Sequence, residues 1–348
     1  MQIAKEYTNG STLDLPRLLR TIMFFTFVCE AFGSFLLMLR FVPMFGGKGI
    51  WISVFLSVSA YCNAGFDILG FLKPDASLEL FVGDPLVCLT ICCLIILGGI
   101  GFIVTVDLYN WGRKRVRKEE RRPHLTLHTR IVLVSTVSLL VLGTVLTLGL
   151  EYDHTLKDLN FWEKLNASFF QSVTARTAGY ATIPQGELGD ATKLVTIILM
   201  FIGASPSSTG GGIKTTTFVV LVATVVSISR GRDETVINKR RVDKSVVYRA
   251  MTIVAMAFLV IAITSGVIMV TTPPEVSAID AVYEAVSAFG TVGLTTGLTP
   301  DLSIVAKILV MLTMFIGRVG PISLVLALTM KHSGGPGKIL PEGKVIVG

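Results

Sequence analysis

Six long apolar runs alternate with polar stretches along the chain, at positions 18–42, 85–109, 131–150, 194–228, 246–271 and 304–330. Each reaches the roughly 20 residues that a helix needs to cross about 30 Å of hydrocarbon. After the first, third and fifth runs comes a shorter, half-apolar stretch, at 51–62, 161–176 and 278–290, ending in small and hydroxylated side chains. These stretches are too short to span a bilayer and fit re-entrant helices. Irregular backbone at membrane depth is tolerated only where it is buried in protein or lines water. The pattern predicts one unit of helix, re-entrant helix, extended segment and helix, written three times over 1–110, 111–230 and 231–348.

The extended segments carry the chemistry. They read Asn63-Ala64-Gly65-Phe66, Thr177-Ala178-Gly179-Tyr180 and Thr291-Val292-Gly293-Leu294, and 114 residues separate each glycine from the next. Even spacing of this kind argues for duplication of one structural unit. Glycine reaches conformations closed to other residues, so successive carbonyl oxygens can turn to one side. A ring of such oxygens replaces the hydration shell of a monovalent cation. One copy reads equally well as a plain turn. Three in register favour a pore, with Asn63, Ala64, Gly65, Thr177, Ala178, Gly179, Thr291, Val292 and Gly293 as the ion-binding segments.

Composition agrees with the membrane reading. Of 348 residues, 51% are hydrophobic and 16% charged, and the mean hydropathy is +0.69, far from a soluble mixture. The net charge of +7 does not point to nucleic acid. The basic residues crowd two connections, 113–130 and 230–249, without the interleaved aromatics of a base-stacking surface. By the positive-inside rule these connections are cytoplasmic, and Lys5, Arg17, Arg20, Lys331, Lys338 and Lys344 place both termini there too. The expected arrangement is a multi-pass membrane chain with both termini in the cytoplasm. Met1 to Leu15 is polar, so no cleavable signal peptide is read there. The five cysteines lie in apolar segments and imply no disulfide framework. Cys88 and Cys92 stand one helical turn apart without His or carboxylate company, and the four histidines are scattered. No metal site is expected beyond a transported alkali cation.

The fourth run is interrupted by Gly203-Ala204-Ser205-Pro206-Ser207-Ser208-Thr209-Gly210-Gly211-Gly212, followed by Ile213-Lys214. Pro206 removes a backbone donor, and each glycine costs roughly 1 kcal/mol in a helix. The run is therefore expected to unwind beneath the second extended segment, inside the pore. The alternative is a hinge at the cytoplasmic end with Lys214 snorkelling to headgroups. Arg318 lies in the last apolar run, where a charge costs roughly 2.5–3.5 kcal/mol on insertion scales and usually faces the protein interior. Arg176 ends the second short helix and is expected to brace the adjoining backbone through an ion pair or hydrogen bonds. Glu30 reads as an interior hydrogen-bonding residue. Asp67, Asp75, Glu79, Asp84, Glu151, Asp153 and Asp158 give the opposite side an acidic bias that serves cation attraction or ordinary loop solvation.

These residues resemble the Trk/Ktr/HKT superfamily of potassium transporters, most closely the membrane subunit of the bacterial Ktr system, along essentially the whole chain. The specific stretches are Asn63 to Phe66, Arg176 to Tyr180, Ser287 to Thr295 and Met314 to Pro321. The resemblance implies an all-α membrane protein in which four units surround one pseudo-fourfold pore. Three are read here, as six transmembrane helices plus three re-entrant pore loops. They correspond to the family's second, third and fourth units, and the first is expected to be absent through a fragment, a misread start or a quarter contributed by another chain.

The resemblance further implies a gating loop of Gly203, Ser205, Ser208, Thr209, Gly210, Gly211, Gly212 and Lys214, with Arg318 lining the cavity and touching it. Its implied cargo is K+, with or without Na+ as an activator, and its implied partners are a second copy of the chain and a cytosolic ring of nucleotide-binding regulatory subunits. No Gly-x-Gly-x-x-Gly fingerprint follows a strand, so nucleotide sensing is expected elsewhere. The expected function is potassium uptake. A sodium-selective transporter of the same fold and a non-conducting remnant are the alternatives. A membrane enzyme would need inward-facing nucleophiles or carboxylate pairs, which the spans lack.

Overall fold

The computed structural model describes residues 15–74, 76–117, 124–272 and 276–320. Lys5, Asp75, Lys118, Arg121, Arg122, the end of the last apolar run and the lysines beyond it lie outside these residues. The described chain is mostly helical.

Three long helices, α1 (Leu15–Phe45), α5 (Leu127–Glu151) and α9 (Lys244–Thr271), are long and apolar enough to cross a membrane. Each is followed by a short helix: α2 (Gly47–Tyr61), α6 (Phe161–Thr174) and α10 (Ala278–Gly290). An inner helix then completes each unit, beginning at α3 (Pro85–Ile100), α7 (Asp190–Phe201) and α11 (Ile304–Val319). Polar side chains set the boundaries. Asp84 caps α3 with Pro85 at its first turn, Asn160 and Glu163 close a capping box on α6, and Thr126 and Asp243 cap α5 and α9.

Burial is arranged from the centre outward. The end of α10, from Tyr283 to Gly290, is buried at every position, whereas Phe24, Phe27 and Phe32 on α1 are exposed. Short helices thus form the protein core, and long apolar helices present a surface suited to lipid.

Two of the three inner helices are interrupted within the described residues, although a single crossing was expected over 85–109. There α3 ends and α4 (Phe102–Val116) departs at 97°. The cause is local and tertiary together. Gly101 adopts φ 96°, and a β-carbon on it would stand 2.4 Å from the Pro206 carbonyl oxygen. The fourth run breaks as expected, into α7 and α8 (Thr215–Ser229) around an irregular segment. The described part of α11 stops at Gly320, φ 89°. In the second basic connection a two-stranded hairpin, β1 (Val236–Ile237) with β2 (Arg240–Arg241), turns on Asn238 and Lys239. Both turn residues have positive φ, the twist that tight hairpins favour.

Candidate functional site

Each short helix delivers its extended segment in the same conformation. Asn63, Thr177 and Thr291 have φ of 50°, 75° and 49°, and Gly65, Gly179 and Gly293 have 72°, 91° and 95°. Left-handed backbone is uncommon for threonine and is held only where its surroundings over-determine it. Helix termination supplies part of that constraint. Ala64 N–H donates to Ser59 O and Val292 N–H to Ser287 O, both at 2.9 Å, so α2 and α10 end in Schellman-type caps with Asn63 and Thr291 as the left-handed residues. Ala178 N–H donates to Thr174 O at 3.0 Å in the middle unit. Alternating the sign of φ cancels the half-turn between successive peptides of an extended chain, which aligns their carbonyls on one side.

The three segments pack against one another in order. A β-carbon on Gly65 would lie 2.2 Å from Ala178 O, and one on Gly179 would lie 2.3 Å from Val292 O. Glycine is therefore demanded by conformation and by the neighbour's carbonyl. At Gly293 the nearest atom to that position is Gly179 Cα at 3.7 Å. Among the described residues the middle segment thus packs against both of the others. The C-terminal ends of α2, α6 and α10, which carry partial negative charge, converge here, and the nine segment residues themselves are uncharged. The site offers oxygen dipoles suited to a hard monovalent cation.

Side chains that were not foreseen fix these segments. Ser59 Oγ donates to Phe66 O at 2.8 Å and Thr174 Oγ1 to Tyr180 O at 2.6 Å. Tyr180 Oη reaches across to Phe66 O at 3.1 Å. Gln171 and Gln185 exchange amide hydrogen bonds, Tyr283 Oη donates to Gln185 Oε1 at 2.8 Å, and Lys193 pairs with Asp280 at 2.9 Å. Only the hydroxyls one turn before each glycine gave a sequence signal, because the rest join elements far apart in the chain.

The irregular segment between α7 and α8 lies directly beneath. Thr209 Oγ1 donates to Tyr61 O, a β-carbon on Gly210 would stand 2.2 Å from Thr177 Oγ1, and one on Gly211 would stand 2.2 Å from Thr291 Oγ1. Three consecutive residues thus face the three units in turn. Inside the segment, Ala204 N–H donates to Gly211 O, Ser208 Oγ to Ser205 O, and the Ser205 and Thr215 hydroxyls meet at 3.1 Å. Gly203 passes so close to Gly211 that a side chain there would strike its carbonyl, and Gly212 has φ 67°.

The segment is also latched to the break between α3 and α4. Ser205 N–H donates to Gly99 O at 3.1 Å, Thr209 N–H to Gly98 O at 3.3 Å, and Phe102 N–H to Ser207 O at 2.9 Å. Two interrupted helices therefore satisfy each other's free backbone groups, as membrane depth requires. Lys214 Nζ donates to Gly210 O at 2.7 Å, and Arg318 Nη1 donates to Thr209 O.

Arg176 departs from expectation. Its side chain is buried among Ile95, Thr136, Leu140 and Ala204, its Nε has no hydrogen-bond partner, and no ion pair to it occurs among the described residues. Among the described residues no carboxylate and no hydrogen bond from its side chain to the adjoining backbone accounts for the anticipated bracing. Glu30 receives Ser34 and Ser57 hydroxyl bonds on its main-chain carbonyl. Several of the carboxylates opposite the basic connections are already engaged: Asp84 in capping α3 and pairing with Arg40, Glu79 with Lys73, Glu151 with Thr155 and Gly189 N–H.

Residues 4–335 match the model of the TrkH cation transport protein family. The chain belongs to the TrkH family. It is accordingly a membrane cation transporter and not an enzyme. Within this family it is 36% identical to the Ktr system potassium uptake protein B of Bacillus subtilis (strain 168) and 38% identical to the potassium/sodium uptake protein NtpJ of Enterococcus hirae. Each alignment takes in 99% of this chain and 75% of the relative. The crystal structure of the potassium transporter TrkH from Vibrio parahaemolyticus has the same fold, with a TM-score of 0.68 at 18% identity, over 92% of this chain and 66% of that one.

Proposed function

We propose that the chain takes up potassium across the cytoplasmic membrane through the carbonyls of the three glycine segments, with the 202–214 segment as the gate. The observation that carries this reading is the register. Three left-handed residue and glycine pairs, each 114 residues from the next, stack glycine against neighbouring carbonyl. Asn63, Ala64, Gly65, Thr177, Ala178, Gly179, Thr291, Val292 and Gly293 then form three sides of the ion path. The units 1–110, 111–230 and 231–348 are its building blocks.

In this reading Gly203, Ser205, Ser208, Thr209, Gly210, Gly211, Gly212 and Lys214 close the path from below. Lys214 and Arg318 put two positive charges where a dehydrated cation would emerge, which opposes its passage. The names of the relatives support potassium as cargo, and that of the Enterococcus protein supports sodium as a second cargo or activator. A relative named as part of a system supports a regulatory partner. The basic connections, taken as cytoplasmic with both termini, are its contact surface, and a homodimer over a nucleotide-binding ring is the assembly we favour.

The test is uptake of radioactive rubidium by vesicles containing the purified chain under an inside-negative potential. Entry should require the potential and be competed by potassium at much lower concentration than by sodium. Competition by sodium at lower concentration than by potassium favours the sodium-selective reading. Absence of both rubidium and sodium entry overturns conduction.

A further inference from the structure

The start of α1 and the length of α4 enclose a groove of about 530 Å³ that the transport path does not use. Its walls include Phe24, Phe25, Val28 and Phe102, and its edge carries Arg20 and Arg113. Among the described residues neither guanidinium has a carboxylate within ion-pairing distance. An apolar trough bearing two unpaired cations lacks an anionic, amphipathic occupant.

The orientation of α4 says what kind. It leaves α3 at 97°, so where α3 crosses the bilayer α4 runs along the membrane face. Its sequence passes from Phe102-Ile103-Val104 through Tyr109 and Trp111 to Arg113-Lys114-Arg115, which puts aromatic and basic side chains at its far end, as at the headgroup level of a bilayer. Asp107 Oδ2 accepts from Thr126 N–H and Oγ1, at 3.1 and 3.0 Å, which fixes α4 against the start of α5. Basic pockets between membrane helices at the cytoplasmic level recognise acidic lipid headgroups.

We propose that this groove binds an anionic phospholipid, with its phosphate between Arg20 and Arg113 and an acyl chain along Phe24, Phe25, Val28 and Phe102. Assignment to the cytoplasmic leaflet rests on the orientation proposed above. Phe102 also donates its N–H to Ser207 O in the gating segment, so a lipid seated on α4 bears on the gate.

The full chain in detergent, titrated with phosphatidylglycerol or phosphatidylcholine and read by native mass spectrometry, provides the test. Phosphatidylglycerol should bind the more tightly. A double variant Arg20→Ala, Arg113→Ala should weaken it about thirtyfold, at roughly fivefold for each basic residue near an anionic headgroup. Arg20→Lys with Arg113→Lys should retain most binding, and size-exclusion elution checks that the variants remain folded. A second double variant, Arg240→Ala with Arg241→Ala, on the hairpin away from the groove, should leave binding unchanged. Equal losses in both alanine pairs, equal affinity for the two lipids, or full displacement by soluble glycerophosphate would overturn the site. Binding in detergent depends neither on sidedness nor on conduction, so rubidium uptake and side-specific labelling of Arg113→Cys report on those readings separately.

Discussion

The glycine segments and the loop beneath them are alike in composition and depth but differ in how they are held. Each glycine segment continues a buried helix through a cap, and two have a hydroxyl from the preceding turn at 2.8 Å or less on a carbonyl of the segment. The 202–214 loop is held to its neighbours chiefly by main-chain bonds to another broken helix and by the long side chain of Arg318, while Lys214 closes a bond within the loop itself. Constraint by caps and packing gives a fixed geometry. Constraint by exchangeable backbone bonds and flexible side chains gives a closure that can be undone, which is the division of labour a filter and a gate need.

The largest expected break in this contrast is Gly179→Ala. A left-handed conformation costs a β-carbon roughly 1–2 kcal/mol, and here the carbon also meets Val292 O at 2.3 Å, a backbone atom without room to retreat. Rubidium uptake should fall by on the order of a hundredfold, because ion coordination depends on carbonyl placement. Gly70→Ala, where nothing lies within 4 Å, should behave as the parent. Uptake preserved in Gly179→Ala would remove the glycine segments from the ion path.

Next comes Arg318→Gln, which should act in the opposite direction. Losing a charged donor to Thr209 O is worth about 1.5–3 kcal/mol, enough to raise resting uptake roughly tenfold or more. A smaller rise is expected from Gly211→Ala, whose new methyl meets the rotatable Thr291 hydroxyl at 2.2 Å and Gly290 O at 3.0 Å. Overpacking at the low end costs about 1 kcal/mol, or roughly fivefold in uptake as the loop backs away. If either variant lowers uptake while the protein stays folded, the loop supports the path instead of closing it.

The difference between the two regions also explains what the sequence disclosed. The repeat was legible because a glycine between small and bulkier apolar residues recurs in register, and the break in the fourth run because Pro206 and three glycines cannot hide in a helix. The bend at Gly101 was not, since Gly98-Gly99-Ile100-Gly101 sits in an apolar run and glycine is common in membrane helices. That bend depends on Pro206, more than a hundred residues away, and main-chain bonds between distant breaks leave no side-chain signature. Arg176 was not legible for a related reason, as the sequence shows a charge at a helix end but not that the assembled helices bury it with its Nε unpartnered among the described residues.

The smallest effects should separate rigidity from chemistry. Tyr180→Phe removes one hydroxyl donated to Phe66 O between the first two segments, and Tyr283→Phe removes one donated to Gln185 between the second and third units. Each should cost about 1 kcal/mol and lower the thermal midpoint in detergent. Because only Tyr180 touches a carbonyl within a glycine segment, Tyr180→Phe should also weaken the preference of potassium over sodium as competitor of rubidium, whereas Tyr283→Phe should leave it intact. Identical selectivity in both variants would mean that the segments hold their shape through caps and packing alone, and that the seams between units serve stability only.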